Sequence, residues 1–257
     1  MTDTVRFTIE GDVGVITLDR PPVNAISAEL VADLDSALEQ AENPEVRAVV
    51  VTGDPHFAAG ADIKAFKAAL DAGLGPASVA EDLSRVLTRL ERLAKPVIAA
   101  IRGFAMGGGM ELALACDFRF FADDARCGQP EIVLGIFPGA GATQRLPRLI
   151  GLGPARDLIY TGRHVTAEEA KALGIAAEVH PADQVLGAAM EAATRFAAGP
   201  TTALGLAKQA INDGLGLPTD AALRLESAGF REVFATADAA EGVAAFLEKR
   251  APDFSGS

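Results

Sequence analysis

The chain of 257 residues has only two cysteines and three histidines, and its 35 acidic residues outnumber its 23 basic ones. Each shortage removes a class of explanation. Cys116 and Cys127 are too few for a disulfide scaffold, and the expectation is two reduced thiols in a cytoplasmic protein. His56, His164 and His180 are scattered without metal-ligand spacing, so no metal centre is expected. The net charge of −12 and the lack of any basic run argue against nucleic acid or an anionic membrane surface as partner. An anionic small molecule stays open, because local cations and backbone N–H groups suffice for one. No uninterrupted apolar run approaches the roughly 20 residues of a membrane span. The opening "MTDTVRFTIEGD" has no basic segment leading into an apolar one, so no secretory signal is expected. Ser27, Ser78 and Ser84 stand in capping or helical contexts and none in a nucleophile motif. Internal repeats and low-complexity tracts are missing too.

What is present is a large apolar fraction, 49%, in a pattern of alternating elements. "VRFTI" and "VGVITL" flank Glu10-Gly11-Asp12, a hairpin signal. Ser27 reads as the N-cap of a helix with Leu30, Leu34 and Leu38 on one face. "VRAVVVTG" reads as a strand buried on both faces, and "VIAAI" and "FRFFA" as further strands. Strand, turn and helix recur, which predicts an α/β fold with near-parallel strands. From about residue 152 the pattern becomes mostly helical, with a capping box at Thr166–Glu169 and breaks at Gly199-Pro200 and Leu217-Pro218. The shift in composition divides the chain into a core, 1–195, and a helical C-terminal region, 196–257.

Three stretches carry candidate chemistry. In "GGGMELALACD", Gly107, Gly108 and Gly109 precede a helix whose first N–H groups lack internal partners, and Glu111 follows in apolar company. The glycines either offer donors to an anion or form a tightly packed turn. In "FAAGADIKAF", small residues around Gly60 leave the backbone accessible, and Asp62 is placed to cap the next helix. In "CGQPEIVLGIFPGAGATQRLPRLIG", Glu131 again has apolar neighbours, and Pro138–Gly141 makes a sharp turn. One such carboxylate could be a surface group. Two, each beside a glycine turn, suit a pair that holds one water and moves protons in opposite senses.

These stretches, with "LDRPPVNAIS" and "FLEKRAPDF", resemble the enoyl-CoA hydratase (crotonase) family in motif order along essentially the whole chain. The resemblance implies a superhelix of β-β-α turns, a helical C-terminal region that builds trimers or hexamers, and a coenzyme A thioester as substrate. No further cofactor is implied, since coenzyme A is part of the substrate. By motif position Ala61 and Gly108 match the two oxyanion-hole donors, Glu111 and Glu131 the catalytic carboxylates, and Gly139 a backbone group near the catalytic water. Ala59 and Lys64 fall where the family contacts the coenzyme. Phe246 and Lys249 are candidates to reach a coenzyme site in their own or a neighbouring subunit, with a packed amphipathic helix as the alternative for Phe246. Glu111 is assigned as base and Glu131 as acid, a division left open for a coupled pair. Gly73, Gly75 and Pro76 suggest a loop beside the acyl pocket. A Δ3-Δ2 enoyl-CoA isomerase is the main rival and needs one carboxylate. Another thioester reaction on the fold, or a non-catalytic acyl-CoA binder, would not need both.

Overall fold

A computed structural model describes residues 4–71 and 77–257. Strands β1 (Val5–Glu10) and β2 (Val13–Leu18) form the expected antiparallel hairpin, with Gly11 at φ +61° in its turn. Helix α1 (Ala28–Ala41) begins at Ser27, whose Oγ accepts from the Leu30 N–H at 3.2 Å, and it buries Leu30, Leu34 and Leu38. Strand β3 (Ala48–Gly53) is buried along its whole length. Helices α2 (Ile63–Asp71) and α3 (Ala77–Arg92) follow, and the expected loop at Gly73, Gly75 and Pro76 lies outside the described residues. Next come β4 (Val97–Ile101), β5 (Phe104–Met106) and α4 (Gly108–Ala115), then β6 (Phe118–Ala122), β7 (Arg126–Gly128) and a 3-10 helix, Pro130–Leu134.

Helices α5 (Ala142–Ile150) and α6 (Leu152–Thr161) lead to β8 (His164–Thr166), α7 (Ala167–Leu173) and β9 (Glu178–His180). Thr166 caps α7 by accepting from the Glu169 N–H, the first half of the capping box; the Glu169 carboxylate binds Arg163 at 2.8 Å rather than reaching back to Thr166. Four helices complete the chain: α8 (Val185–Ala197), α9 (Thr201–Gly214), α10 (Thr219–Val233) and α11 (Ala237–Glu248). The segment read as mostly helical therefore contains two strands, β8 and β9. Each is three residues long, too short to show a period, and each is held by pairing with a distant strand.

The large sheet has the order β1-β2-β3-β4-β6-β9 and is parallel from β2 onward. A parallel sheet is covered on its faces by crossover helices, which is why "VVV" in β3 and "VIAAI" in β4 are unbroken apolar runs. Helix α8 lies across β2, β3, β4, β6 and β9. After each main strand the chain makes a short extended step outside this sheet before its helix. The bridge residue Ile26 follows β2, Ala58–Ala61 follow β3, β5 follows β4, and β7 follows β6. These steps pair with one another: Ile26 with Ala61, Ala58 with Ala105, and β5 with β7. The result is the β-β-α superhelix, with the loops of successive turns brought side by side. Both cysteines are buried free thiols. Among the described residues no helix is long and apolar enough to cross a membrane, and no cluster of His, Cys, Asp and Glu could hold a metal ion.

Candidate active site

The triple glycine packs closely, and it also leaves one N–H without an acceptor among the described residues. Gly107 turns the chain from β5 into α4 with φ 52° and ψ −124°, a conformation that glycine adopts at no steric cost. Gly109 packs so closely that a Cβ there would overlap the Ala58 carbonyl. Gly108 lies between them as the first residue of α4, where an N–H has no acceptor within the helix. The second donor arises from strand geometry. Ile26 donates to Gly60 O at 2.8 Å, and Asp62 donates to Ile26 O at 2.9 Å, so the N–H of the intervening Ala61 points away from its strand partner. Neither the Ala61 nor the Gly108 N–H has an acceptor among the described residues, and both residues line one cavity of about 560 Å³.

The two carboxylates meet at that cavity. Glu111, 3% exposed, lies one turn into α4. Its Oε1 accepts from the N–H groups of Ala140 at 2.7 Å and Ala142 at 3.0 Å. Burial raises its pKa, while those N–H groups and the Arg145 charge act the other way. Glu131 sits in the 3-10 helix, where burial lifts its pKa to about 7, aided by the charge of Glu111 and opposed by its own backbone N–H. The two halves of the site touch: a Cβ on Gly107 would lie 3.1 Å from Glu131 Oε1. Fully buried Gln129, its amide nitrogen turned to Glu131, donates to Oε1 at 3.0 Å and Oε2 at 3.2 Å.

Residues 8–257 match the family model described as enoyl-CoA hydratase/isomerase. The chain belongs to this family. It is 42% identical over 245 residues to the short-chain-enoyl-CoA hydratase of Clostridium acetobutylicum, covering 94% of this chain and 93% of that one. Its fold superimposes on an enoyl-CoA hydratase crystal structure from Bacillus anthracis with a TM-score of 0.91, at 39% identity, covering 99% and 100% of the two chains. A second solved structure, from Geobacillus kaustophilus, gives 0.95 at 33% identity and covers 100% and 98%. The fold is thus crotonase-like, and the chain is an enzyme of this family.

Within this crotonase fold the other predicted residues divide. Ala59 and Gly139 line the cavity with Ala61, Gly108, Glu111 and Glu131. Lys64 is exposed on the first turn of α2, and Lys249 is exposed at the end of α11 with φ 56°, so neither lines the cavity of its own chain. Phe246 is 82% exposed, which rules out packing within its own chain. Asp62 caps α2 as expected, its Oδ1 accepting from the N–H groups of Lys64 and Ala65.

Sequence reasoning missed the residues that hold these loops. Arg20 ties the first loop to the second, donating to Ala25 O at 2.9 Å and to Asp62 Oδ2 at 2.6 Å. Asn24, in the left-handed region at φ 53°, donates to His56 O at 2.7 Å. Arg145 grips the turn beside Glu111, and Gln129 the carboxylate of Glu131. Arg20 and Asn24 lie around Pro21-Pro22, Gln129 follows Gly128 and Arg145 comes four residues after Gly141, and polar residues near turns are too common to single these out.

Proposed function

We propose that the enzyme adds water across the C2=C3 bond of a 2-trans-enoyl-CoA to give a 3-hydroxyacyl-CoA, as a step in fatty acid or related acyl-CoA degradation. The observation that carries this is the pair Glu111 and Glu131 at one apolar cavity, also lined by Ala61 and Gly108, whose N–H groups have no acceptor among the described residues. In this reading the N–H groups of Ala61 and Gly108 receive the thioester oxygen as it gains charge. One such donor is typically worth ~2.7–4 kcal/mol. Glu111 takes the proton of the attacking water through Oε2, since Oε1 already accepts two N–H groups. Those bonds and Arg145 favour placing the pair's single negative charge on Glu111. Glu131, with its pKa lifted to about 7, is about half protonated at neutral pH, and that protonated form delivers its proton to C2. Gly139, in the turn that carries the Ala140 donor, would position the water.

The rest of the assignment extends the same reading. Ala59, Lys64 and Lys249 would contact the coenzyme, Lys249 across a subunit boundary. Residues 196–257 would form the oligomerisation region beside a core of 1–195, in a homotrimer or a pair of trimers. Phe230, Phe234, Phe246 and Leu247, 64% to 82% exposed in the single chain, support such burial. We place the enzyme in the cytoplasm, with neither nucleic acid nor membrane as partner and no resident cofactor. Light scattering should give a mass three or six times that of the chain, and a stable active monomer would refute the assembly.

Crotonyl-CoA tests the reaction. Hydration removes the conjugated absorbance and places labelled oxygen from water at C3. Glu111→Gln and Glu131→Gln should each lower kcat at least ~10²-fold. The double variant should lose less than the product of the two, because groups acting on one water are not additive. An unlabelled product, or a near-normal rate in one single variant, would favour the isomerase reading instead.

A further inference from the structure

We propose that Arg145 is a positioning residue for hydration: it clamps the Gly139–Ala142 turn to α3 and so fixes the carboxylate of Glu111 in the orientation that receives the proton of water. The proposal rests on the hydratase reading. Arg145 lies in the first turn of α5 with its side chain 12% exposed. Its guanidinium forks onto Glu91 of α3, Nε to Oε1 at 3.1 Å and Nη2 to Oε2 at 2.8 Å. The remaining arm, Nη1, donates to the carbonyl of Ala140 at 3.0 Å. This fork cannot be reproduced by lysine, whose ammonium is a point charge.

The bond to Ala140 O matters because of what lies on either side of it. The N–H of Ala140 itself donates to Glu111 Oε1. The Ala140 carbonyl belongs to the peptide unit whose N–H is that of Gly141, and in a planar trans peptide the two point in opposite directions. Drawing the carbonyl toward Arg145 turns the Gly141 N–H toward Glu111, and that N–H indeed helps to lower its pKa. The N–H of Ala142 closes the set on Oε1. Gly141 sits at φ 120° between Ala140 and Ala142, which have only methyl side chains; its own carbonyl accepts from the N–H groups of Gln144 at 2.9 Å and Arg145 at 2.8 Å, whereas the Ala140 carbonyl is held by the Arg145 side chain. Glu91 is anchored in turn, since Asn212 of α9 donates to its backbone carbonyl at 3.2 Å. The charged groups facing Glu111 are thus Arg145 from α5 and Glu131 from the 3-10 helix, with Glu91 of α3 held on the far side of Arg145.

The test compares Arg145→Met, Arg145→Lys and Glu91→Gln as folded oligomers, by steady-state kinetics on crotonyl-CoA across pH and by infrared titration of the carboxylates with isotope-labelled Glu, the Glu111 band being assigned by its loss in Glu111→Gln. For Arg145→Met we expect kcat to fall about 10- to 100-fold, as for a carboxylate displaced by about an ångström, with KM within about twofold of wild type. The acid limb of kcat/KM and the Glu111 infrared titration should both move to higher pH, because a cation is gone. Arg145→Lys keeps the charge, so the acid limb should stay near wild type while kcat remains about tenfold down for want of the fork. Adding Glu91→Gln to Arg145→Met should cost nothing more, since both break one clamp. A folded Arg145→Met with wild-type kcat and an unmoved Glu111 titration would overturn the proposal. So would a fully active Arg145→Lys, which also decides the matter if the methionine variant does not fold, or losses that multiply in the double variant. The infrared titration needs no turnover. An inactive wild type would therefore refute the hydratase reading, whereas a Glu111 titration unmoved by Arg145→Met would refute the clamp.

Discussion

Glu131→Gln should inactivate the enzyme and at the same time stabilise it, and the stabilisation should depend on pH in one direction only. Burial raises the Glu131 pKa from 4.5 to about 7. Below pH 4.5 the carboxyl is protonated in both folded and unfolded chains and contributes no difference. Between 4.5 and 7 the unfolded chain has released the proton and the folded chain has not, so wild-type stability falls as pH rises. Above 7 the carboxylate is ionised in both states, and the whole penalty of burying it is present. At 1.36 kcal/mol for each pH unit the displacement corresponds to at most ~3 kcal/mol. The carboxyl faces a cavity that water can enter, which screens it, so about 1–2 kcal/mol is expected. Glutamine carries no charge and escapes the penalty. Urea unfolding at pH 5, 6, 7 and 8, at one fixed protein concentration because assembly contributes by mass action, should show the variant gaining on wild type through this range and levelling off above 7. A difference that is flat with pH, or one that favours wild type at pH 8, would refute the reasoning.

Two glycine predictions separate donor from packing. Gly108→Pro removes the proposed oxyanion N–H at the first helical position, where proline suits the helix, and the Cβ meets only the side-chain ends of Ile26 and Leu83. Crotonyl-CoA hydration should fall ~10²–10³-fold while circular dichroism stays native, and a near-normal kcat would refute the donor role. Gly109→Ala should instead cost about 2 kcal/mol or more in thermal unfolding, because its Cβ runs into Ala58 backbone that cannot move aside. Gly187→Ala in α8, with open space around it, should gain up to ~1 kcal/mol and serves as the control.

The parts of this protein legible in its sequence are those whose causes lie close together in the chain. The β1–β2 hairpin needs only Glu10-Gly11-Asp12, and the starts of α1 and α7 need only Ser27 and Thr166 with the N–H groups three residues on. Glu111 was legible for a different reason: an ionisable group inside a buried apolar helix has few innocent explanations. The illegible parts have causes far apart in sequence. Glu91 and Arg145 are 54 residues apart, and Arg20 and Asp62 are 42. Neither pair has a local pattern, because a polar residue that serves a distant loop looks the same as one that serves solvent. Strands β8 and β9 likewise exist through pairing with β7 and β6, not through three residues of propensity.

The placement of Glu111 creates a conflict that the proposed reaction resolves. It lies in the first turn of α4, where the helix dipole favours one negative charge, and the same helix start would receive the thioester oxygen at Gly108. Two full negative charges there would repel each other in a medium that screens them poorly. In the proposed sequence they never coexist. In the reactive form the pair carries one charge, placed on Glu111 by the N–H groups of Ala140 and Ala142 and the Arg145 charge. As Glu111 takes the proton from water it becomes neutral, and the charge reappears on the oxygen held by Ala61 and Gly108. When Glu131 then protonates C2, the charge moves to Glu131, beside Gly107 and under the amide of Gln129. One unit of negative charge thus travels around a single helix start, and the proton left on Glu111 must pass back to Glu131, directly or through water, before the next turnover. A pKa near 7 on Glu131 fits this circuit: a lower one would surrender the proton before the enolate forms, and a much higher one would bind it too tightly to release.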